Sequence, residues 1–172
     1  MIPGLSIDTL LVLHVAISLV AVAAGLVAMP ALALGRFLPG WQAAFLATTA
    51  ATSLTGFLFP FGGVTPAFGF GVASLIVLAI AGLALRRRSS ARWARITYGI
   101  AATLALYLNV FVLVVQAFQK LPALQAWAPT QSEPPFAIAQ IVVLVVHLAI
   151  GWCASRSPRA AAEPSVLTAP RA

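Results

Sequence analysis

The stretch FGVASLIVLAIAGLALRRRSSARWAR, residues 70–95, sets sixteen uncharged residues directly against five arginines within ten positions. A helix crossing the hydrocarbon core of a bilayer needs about 20 predominantly apolar residues. Arginines packed behind such a run mark the cytoplasmic side, where short loops accumulate Lys and Arg. One crossing and one loop are therefore legible here, and the rest of the chain repeats the pattern. Of its 172 residues 62% are hydrophobic and 8% charged, with a mean hydropathy of +1.03. Those values exclude a soluble domain of this length. A formal charge of +7 would suggest nucleic acid in a soluble chain, but the arginines here sit in short segments between apolar runs, so no nucleic-acid partner is expected.

Working outward from residues 70–95, five apolar runs are long enough to span, near 8–34, 41–61, 67–86, 92–119 and 135–155. The expected fold is all-α, a polytopic transmembrane helical bundle of five spans forming one unit over residues 1–155, with the lipid bilayer as its solvent. Asp8 and Thr9 are expected to cap the first helix, GRFLPG (35–40) to break after it, and PFGGVTP (60–66) to form a hairpin between the second and third. The linker LPALQAWAPTQSEPPF, 121–136, carries four prolines and reads as non-helical. The tail 156–172 is rich in Ala, Pro and Arg and reads as a disordered cytoplasmic segment. The start MIPGLSID lacks the basic region of a signal peptide and carries Asp8. Cys153 is the sole cysteine, which excludes an intrachain disulfide.

The basic residues set an orientation. Arg36, the five arginines of 86–95, Arg156, Arg159 and Arg171 fall on one side of a five-span threading, and only Lys120 falls on the other. The N-terminus is then outside and the C-terminus cytoplasmic. Trp41, Trp93 and Trp152 mark the inner interface, and Phe57, Phe59, Phe61, Phe68 and Phe70 form an aromatic belt at the outer one. Arg86, Arg87, Arg88, Arg92 and Arg95 serve as a topology signal or as a contact for anionic lipid.

Residues three and four apart share a helix face, and packed membrane helices put small or polar groups there. The first helix offers His14, Ser18, Ala21, Gly25 and Ala28. The second offers Thr48, Thr52 and Thr55 beside Thr49, Ser53 and Gly56. The fourth offers Ala102, Ala105, Asn109, Val112, Gln116 and Gln119, and the fifth Gln140, His147 and Gly151. The third has only Ser74 and reads as peripheral. Such groups either glue a bundle, at about 0.6 kcal/mol per hydrogen bond, or line a site. The candidate ligand-binding residues are His14, His147, Asn109, Gln116, Tyr107, Thr52 and Glu133.

Both histidines lie inside apolar runs, in the similar strings LHVAIS (13–18) and VHLAIG (146–151). An intramembrane imidazole carries a proton, ligates a metal or haem, or makes one satisfied hydrogen bond. Two of them on two helices raise the possibility of haem b held by axial His14 and His147. At 1.5 Å per residue, however, they lie about 9–11 Å apart along the membrane normal, which argues for two independent sites. His14 is expected to meet Glu133 or a carbonyl of the outer linker, and His147 a hydroxyl or amide of the second or fourth helix. Glu133 alternatively caps the last helix. No covalent-haem, zinc-helix or phosphate-loop motif is present, and the three acidic residues are not mid-helix, so neither a catalytic centre nor a carboxylate relay is expected.

The strings TSLTGFLFPF (52–61), LYLNVFVLVVQAF (106–118) and APTQSEPPF (128–136), together with the threading, resemble small multi-pass inner-membrane proteins of bacteria. The resemblance covers the chain to about Arg156. It implies a bacterial inner-membrane location and a compact bundle without enzymatic machinery, and it brings no cofactor and no site residue. The expected function is a non-enzymatic intramembrane binding or accessory protein with a polar interior open to the outer side, acting alone, with a membrane-protein partner or as a homo-oligomer. Electron transfer through haem b and a small-solute or proton pathway are the competing classes.

Overall fold

A computed structural model describes residues 6–60 and 65–156. They form six helices, α1 (Ile7–Ala33), α2 (Pro39–Gly56), α3 (Pro66–Arg86), α4 (Arg92–Lys120), α5 (Pro122–Trp127) and α6 (Pro134–Arg156), with no strand among the described residues. Four of them, α1, α3, α4 and α6, are long and apolar enough to cross a membrane. Of the other two, α5 has only six residues, and the 18 residues of α2 carry Gln42, three threonines at 48, 49 and 52, Ser53 and Thr55. The tail from 157 and most of the 60–66 hairpin lie outside the described residues.

Local chemistry sets the ends of the helices. Ser6 caps α1 by accepting from the Thr9 N–H at 3.1 Å, so Asp8 and Thr9 stand inside the first turn and are not themselves the cap. Gly35, at φ 81°, reverses the chain after α1, and Pro39 opens α2. Thr65 caps α3 from the Phe68 N–H, with Pro66 at its start. The linker 121–136 is not the wholly non-helical segment that its prolines led us to expect. Pro122 starts the single-turn α5, whose fixed φ suits a first helical position. Gln131 then takes φ 61° and donates to the Val115 carbonyl at 3.0 Å, tying the linker to α4.

Paired side chains give the arrangement. His14 meets Thr55 while Gln42 meets Ala28, so α1 and α2 run antiparallel. Phe118 packs on Phe136 and Tyr107 on His147, with Gly99 beside Ala154, so α4 and α6 run antiparallel too. In contrast, α2 and α4 run parallel, because Gln42 meets Tyr98 and Thr49 meets Asn109. The remaining long helix, α3, packs on α4 and α2, and α1 also touches α4 and α6. All three helix ends that carry described arginines therefore gather at one end of the bundle. There Arg88 lies 3.9 Å over the Phe37 ring and Arg156 3.7 Å over Trp152.

The core is built from small residues on α1 and α4, with Ala21, Ala28, Ala102 and Ala105 wholly buried. Large apolar side chains such as Val20, Leu26, Ile80, Leu83, Leu104, Ile141 and Leu148 point outward on every long helix. This distribution suits a bilayer, where close backbone approach and not apolar burial holds helices together. The expected α1 row faces inward as read, and α3 is peripheral, burying Ser74, Ala81 and Ala84. The last helix, α6, buries only His147 and Ala154. Of the phenylalanines expected in the outer belt, Phe61 lies outside the described residues, and the others are not simply turned outward. Phe57 packs edge-on against Phe68 and Phe70 stacks on Phe111, so they join α2, α3 and α4.

Two glycines fix the helix spacing. A Cβ on Gly25 would stand 2.5 Å from a Leu106 methyl and 2.9 Å from the Phe45 ring, and one on Gly99 would stand 3.0 Å from the Ala154 backbone. Backbone cannot step aside as a side chain can. Gly99→Ala should therefore cost about 1–3 kcal/mol, whereas Gly82→Ala, with open space around it, should be neutral or stabilising by about 0.5–1 kcal/mol. Thermal unfolding in detergent reads the contrast, and equal melting points for the two variants would contradict this packing.

Candidate functional site

Polar side chains occupy two separate helix interfaces. The first lies among α1, α2 and α4. His14 is half-buried, with Nδ1 2.8 Å from the Thr55 hydroxyl. Thr55 spends its own proton on the Ala51 carbonyl at 2.8 Å, so its oxygen is the acceptor and His14 Nδ1 the donor. The Phe59 ring stands edge-on to the imidazole at 5.5 Å, and Ser18 donates to the His14 carbonyl at 2.6 Å. One turn further in, the Thr52 hydroxyl is buried with no partner. Asn109 then donates from α4 to the Thr49 hydroxyl at 2.9 Å.

Below Thr49 the polar groups stop. Phe45 and Leu106 are wholly buried and close on Gly25. On the far side a second network begins, with Tyr98 Oη donating to Gln42 Oε1 at 2.5 Å and Gln42 Nε2 donating to the Ala28 carbonyl at 3.0 Å. Sequence reasoning missed this pair. Gln42 shares a helix row with Phe45 and Thr49, and Tyr98 a row with Ala94, Ala101 and Ala105; that spacing was the available signal.

The second interface is the seam between α4 and α6. His147 is 6% exposed and bonds through Nδ1 to the carbonyl of Val143 in its own helix at 2.7 Å. Tyr107 of α4 packs edge-on to it at 5.8 Å. Two turns away, Gln140 Nε2 donates to the Phe111 carbonyl at 3.3 Å.

The candidate residues are thus partly regrouped. His14 and Thr52 share one interface with Asn109, while His147 and Tyr107 share the other. His14 meets Thr55, not Glu133 or a linker carbonyl, because the antiparallel α1–α2 pairing puts the end of α2 beside it. His147 meets its own backbone, not a group from another helix, because a helical side chain reaches the carbonyl four residues back when its neighbours are apolar. Gln116 is exposed; Asn109 pairs with Thr49, so Gln116 stands level with Gly56, where α2 ends. Glu133 heads α6 by its backbone, with the Phe136 and Ala137 N–H groups on its carbonyl. Its side chain turns back to accept from the Thr130 hydroxyl at 2.8 Å and the Ser132 N–H at 3.1 Å. Desolvation pushes that carboxyl up, but the bonds from Thr130 and Ser132 outweigh it and hold it below the usual carboxylate range.

The levels of the two imidazoles follow from the pairings. His147 is level with Tyr107, and Asn109, two residues on, is level with Thr49, six residues short of Thr55. Their separation along the bundle is about eight residues, or ~12 Å. They also face different interfaces. Axial ligation of one haem, in which both imidazoles meet a single iron, does not fit this geometry. No group of three or more His, Cys, Asp or Glu that could hold a metal occurs among the described residues.

The Tyr98–Gln42 pair makes a direct test. Tyr98→Phe should leave the buried Gln42 oxygen bare and cost about 1–3 kcal/mol, and adding Gln42→Leu should recover part of that loss. A double variant no more stable than Tyr98→Phe would show that the pair is not coupled.

Compared with protein-family models, with curated proteins and with solved structures, the chain matches none.

Proposed function

We propose that this is a non-enzymatic integral protein of the bacterial inner membrane, an intramembrane binding or accessory protein whose polar interior opens at the end that carries His14 and the 121–133 linker. The observation that carries it is the one-sided run of polar groups. His14, Thr55, Thr52, Thr49 and Asn109 lead inward from that end, and Phe45 with Leu106 closes on Gly25 behind them. A pathway needs a continuous polar track, and the apolar block interrupts one. The block favours a binding chamber over a conduit, and the separated imidazoles disfavour the haem reading.

In this proposal α2 is the fifth span. Its 18 residues rise about 27 Å, close to the ~30 Å hydrocarbon thickness, and its low hydropathy reflects hydroxyls turned to α1 and α4. The arginine-bearing end is cytoplasmic, supported by the gathering of Arg36, Arg86–Arg88, Arg92, Arg95 and Arg156 at one end. With Cys153→Ser as background, cysteines at Gly40 and at Ser90 should each be labelled by a membrane-impermeant thiol reagent only from the cytoplasmic face, because α2 and α3 both cross between them. Labelling of positions 40 and 90 from opposite faces would reduce α2 to a re-entrant or surface helix and overturn the five-span threading.

A further inference from the structure

The α4–α6 seam holds two acceptors that the protein leaves bare. Both side chains there are fixed by their donors. The Val143 carbonyl accepts from His147 Nδ1, so the neutral ring carries its lone pair on Nε2, and Nε2 is buried with no partner. Likewise the Phe111 carbonyl accepts from Gln140 Nε2, which fixes the amide orientation, and Gln140 Oε1 is buried with no partner. A bare buried acceptor costs about 1–3 kcal/mol, and here two stand on one face of one helix. Flipping the amide or changing the ring tautomer would set an acceptor against a carbonyl, so neither group can satisfy itself.

The seam also changes width along its length. At the arginine end, Gly99 brings α4 against the Ala154 backbone, and Gly151 brings α6 against Thr103. At the other end the Phe118 and Phe136 rings stand between the helices at 5.4 Å. Between the two, Tyr107 and Phe111 offer aromatic surface. The bare atoms are seven residues apart, about 10.5 Å along the helix. An aromatic ring with hydroxyls at opposite ends, each making one O–H bond of ~2.8 Å, is on the order of that length.

We propose that the α4–α6 seam binds a lipid-soluble hydroquinone, its two hydroxyls donating to His147 Nε2 and Gln140 Oε1 with the ring packed against the Tyr107 side of the seam. The site discriminates by donor count. An oxidised quinone presents carbonyl acceptors to two acceptors and is disfavoured, because each hydrogen bond becomes a repulsion between lone pairs. Entry is lateral from the bilayer, since α6 exposes most of its apolar surface. This extends the binding function above to a ligand class at a second interface, and it uses none of the residues of the His14 chamber.

Tetramethylhydroquinone, kept reduced, and tetramethylquinone are titrated into the full detergent-solubilised chain by calorimetry, with the ¹⁵N resonances of the two imidazoles followed in parallel. The hydroquinone should bind at least about tenfold tighter than the quinone, a difference of ~1.4 kcal/mol, and should shift the His147 Nε2 signal. His147→Leu and Gln140→Leu should each weaken it by about tenfold or more while the melting temperature holds or rises, since each removes a bare acceptor. His14→Leu should leave hydroquinone affinity unchanged, so that failure of the outer chamber and failure of this site are distinguishable. Equal affinity for the two redox forms, retained affinity in His147→Leu, or no hydroquinone binding would each overturn the proposal.

Discussion

Everything in this bundle depends on how closely α1 and α4 approach at Gly25. With no side chain there, the Leu106 methyl and the Phe45 ring move into the space a Cβ would occupy, at 2.5 and 2.9 Å from it. In a bilayer the apolar side chains gain nothing by leaving lipid for protein, so helix association relies on close packing and on hydrogen bonds made across it. The glycine permits both. It brings α2 near enough for Gln42 to reach the Ala28 carbonyl and α4 near enough for Asn109 to reach Thr49. A longer side chain at position 25 would separate three helices at once.

The same contact divides the interior. Polar groups above it belong to α1, α2 and α4, with His14 bonded to Thr55 and Asn109 to Thr49, and the Thr52 hydroxyl between them bare. The pair below it, Gln42 with Tyr98, is wholly buried beside the arginine-bearing end. A third set, on α6, is separated from both by α4 and differs in kind, since its donors are used by backbone carbonyls and its acceptors are not used. Structural glue accounts for the Gln42–Tyr98 pair of the second set. It leaves His147 Nε2, Gln140 Oε1 and the Thr52 hydroxyl unexplained, and bare buried polar atoms inside a membrane are costly enough to ask for a partner.

Much of the fold was legible in the sequence, because the signals that place helices in a membrane are compositional. The long helices, the arginine grouping and the inward row His14, Ser18, Ala21, Gly25 and Ala28 all follow from uncharged length and i, i+3/i+4 spacing. The site was legible by residue type and less so by partner. Spacing put His14, Thr52 and Asn109 on interior faces but could not say which helices adjoin, so Thr55 was not foreseen opposite His14. Gln116 failed because a helical row says which residues share a face and not where along the helix its neighbours end. Gln42 and Tyr98 were overlooked because Gln42 adjoins the exposed Trp41 and Tyr98 follows Arg95 by three residues in the first turns of α4, and that context masked an inward position. The unlike surroundings of His14 and His147 mark the similarity of LHVAIS and VHLAIG as incidental in a chain so rich in Ala, Leu and Val.

The central claim is that the interior is wet on one side of the Phe45–Leu106–Gly25 contact and dry on the other. Cysteine accessibility in membranes tests it directly, with Thr52→Cys above the contact and Ala28→Cys below it, each in the Cys153→Ser background. A small membrane-impermeant thiosulfonate applied from the outer face should modify position 52 and spare position 28, and adding Phe45→Ala should let it reach position 28. Modification of position 28 with Phe45 intact, or protection of position 52, would contradict a chamber that is open at one end and closed by that contact.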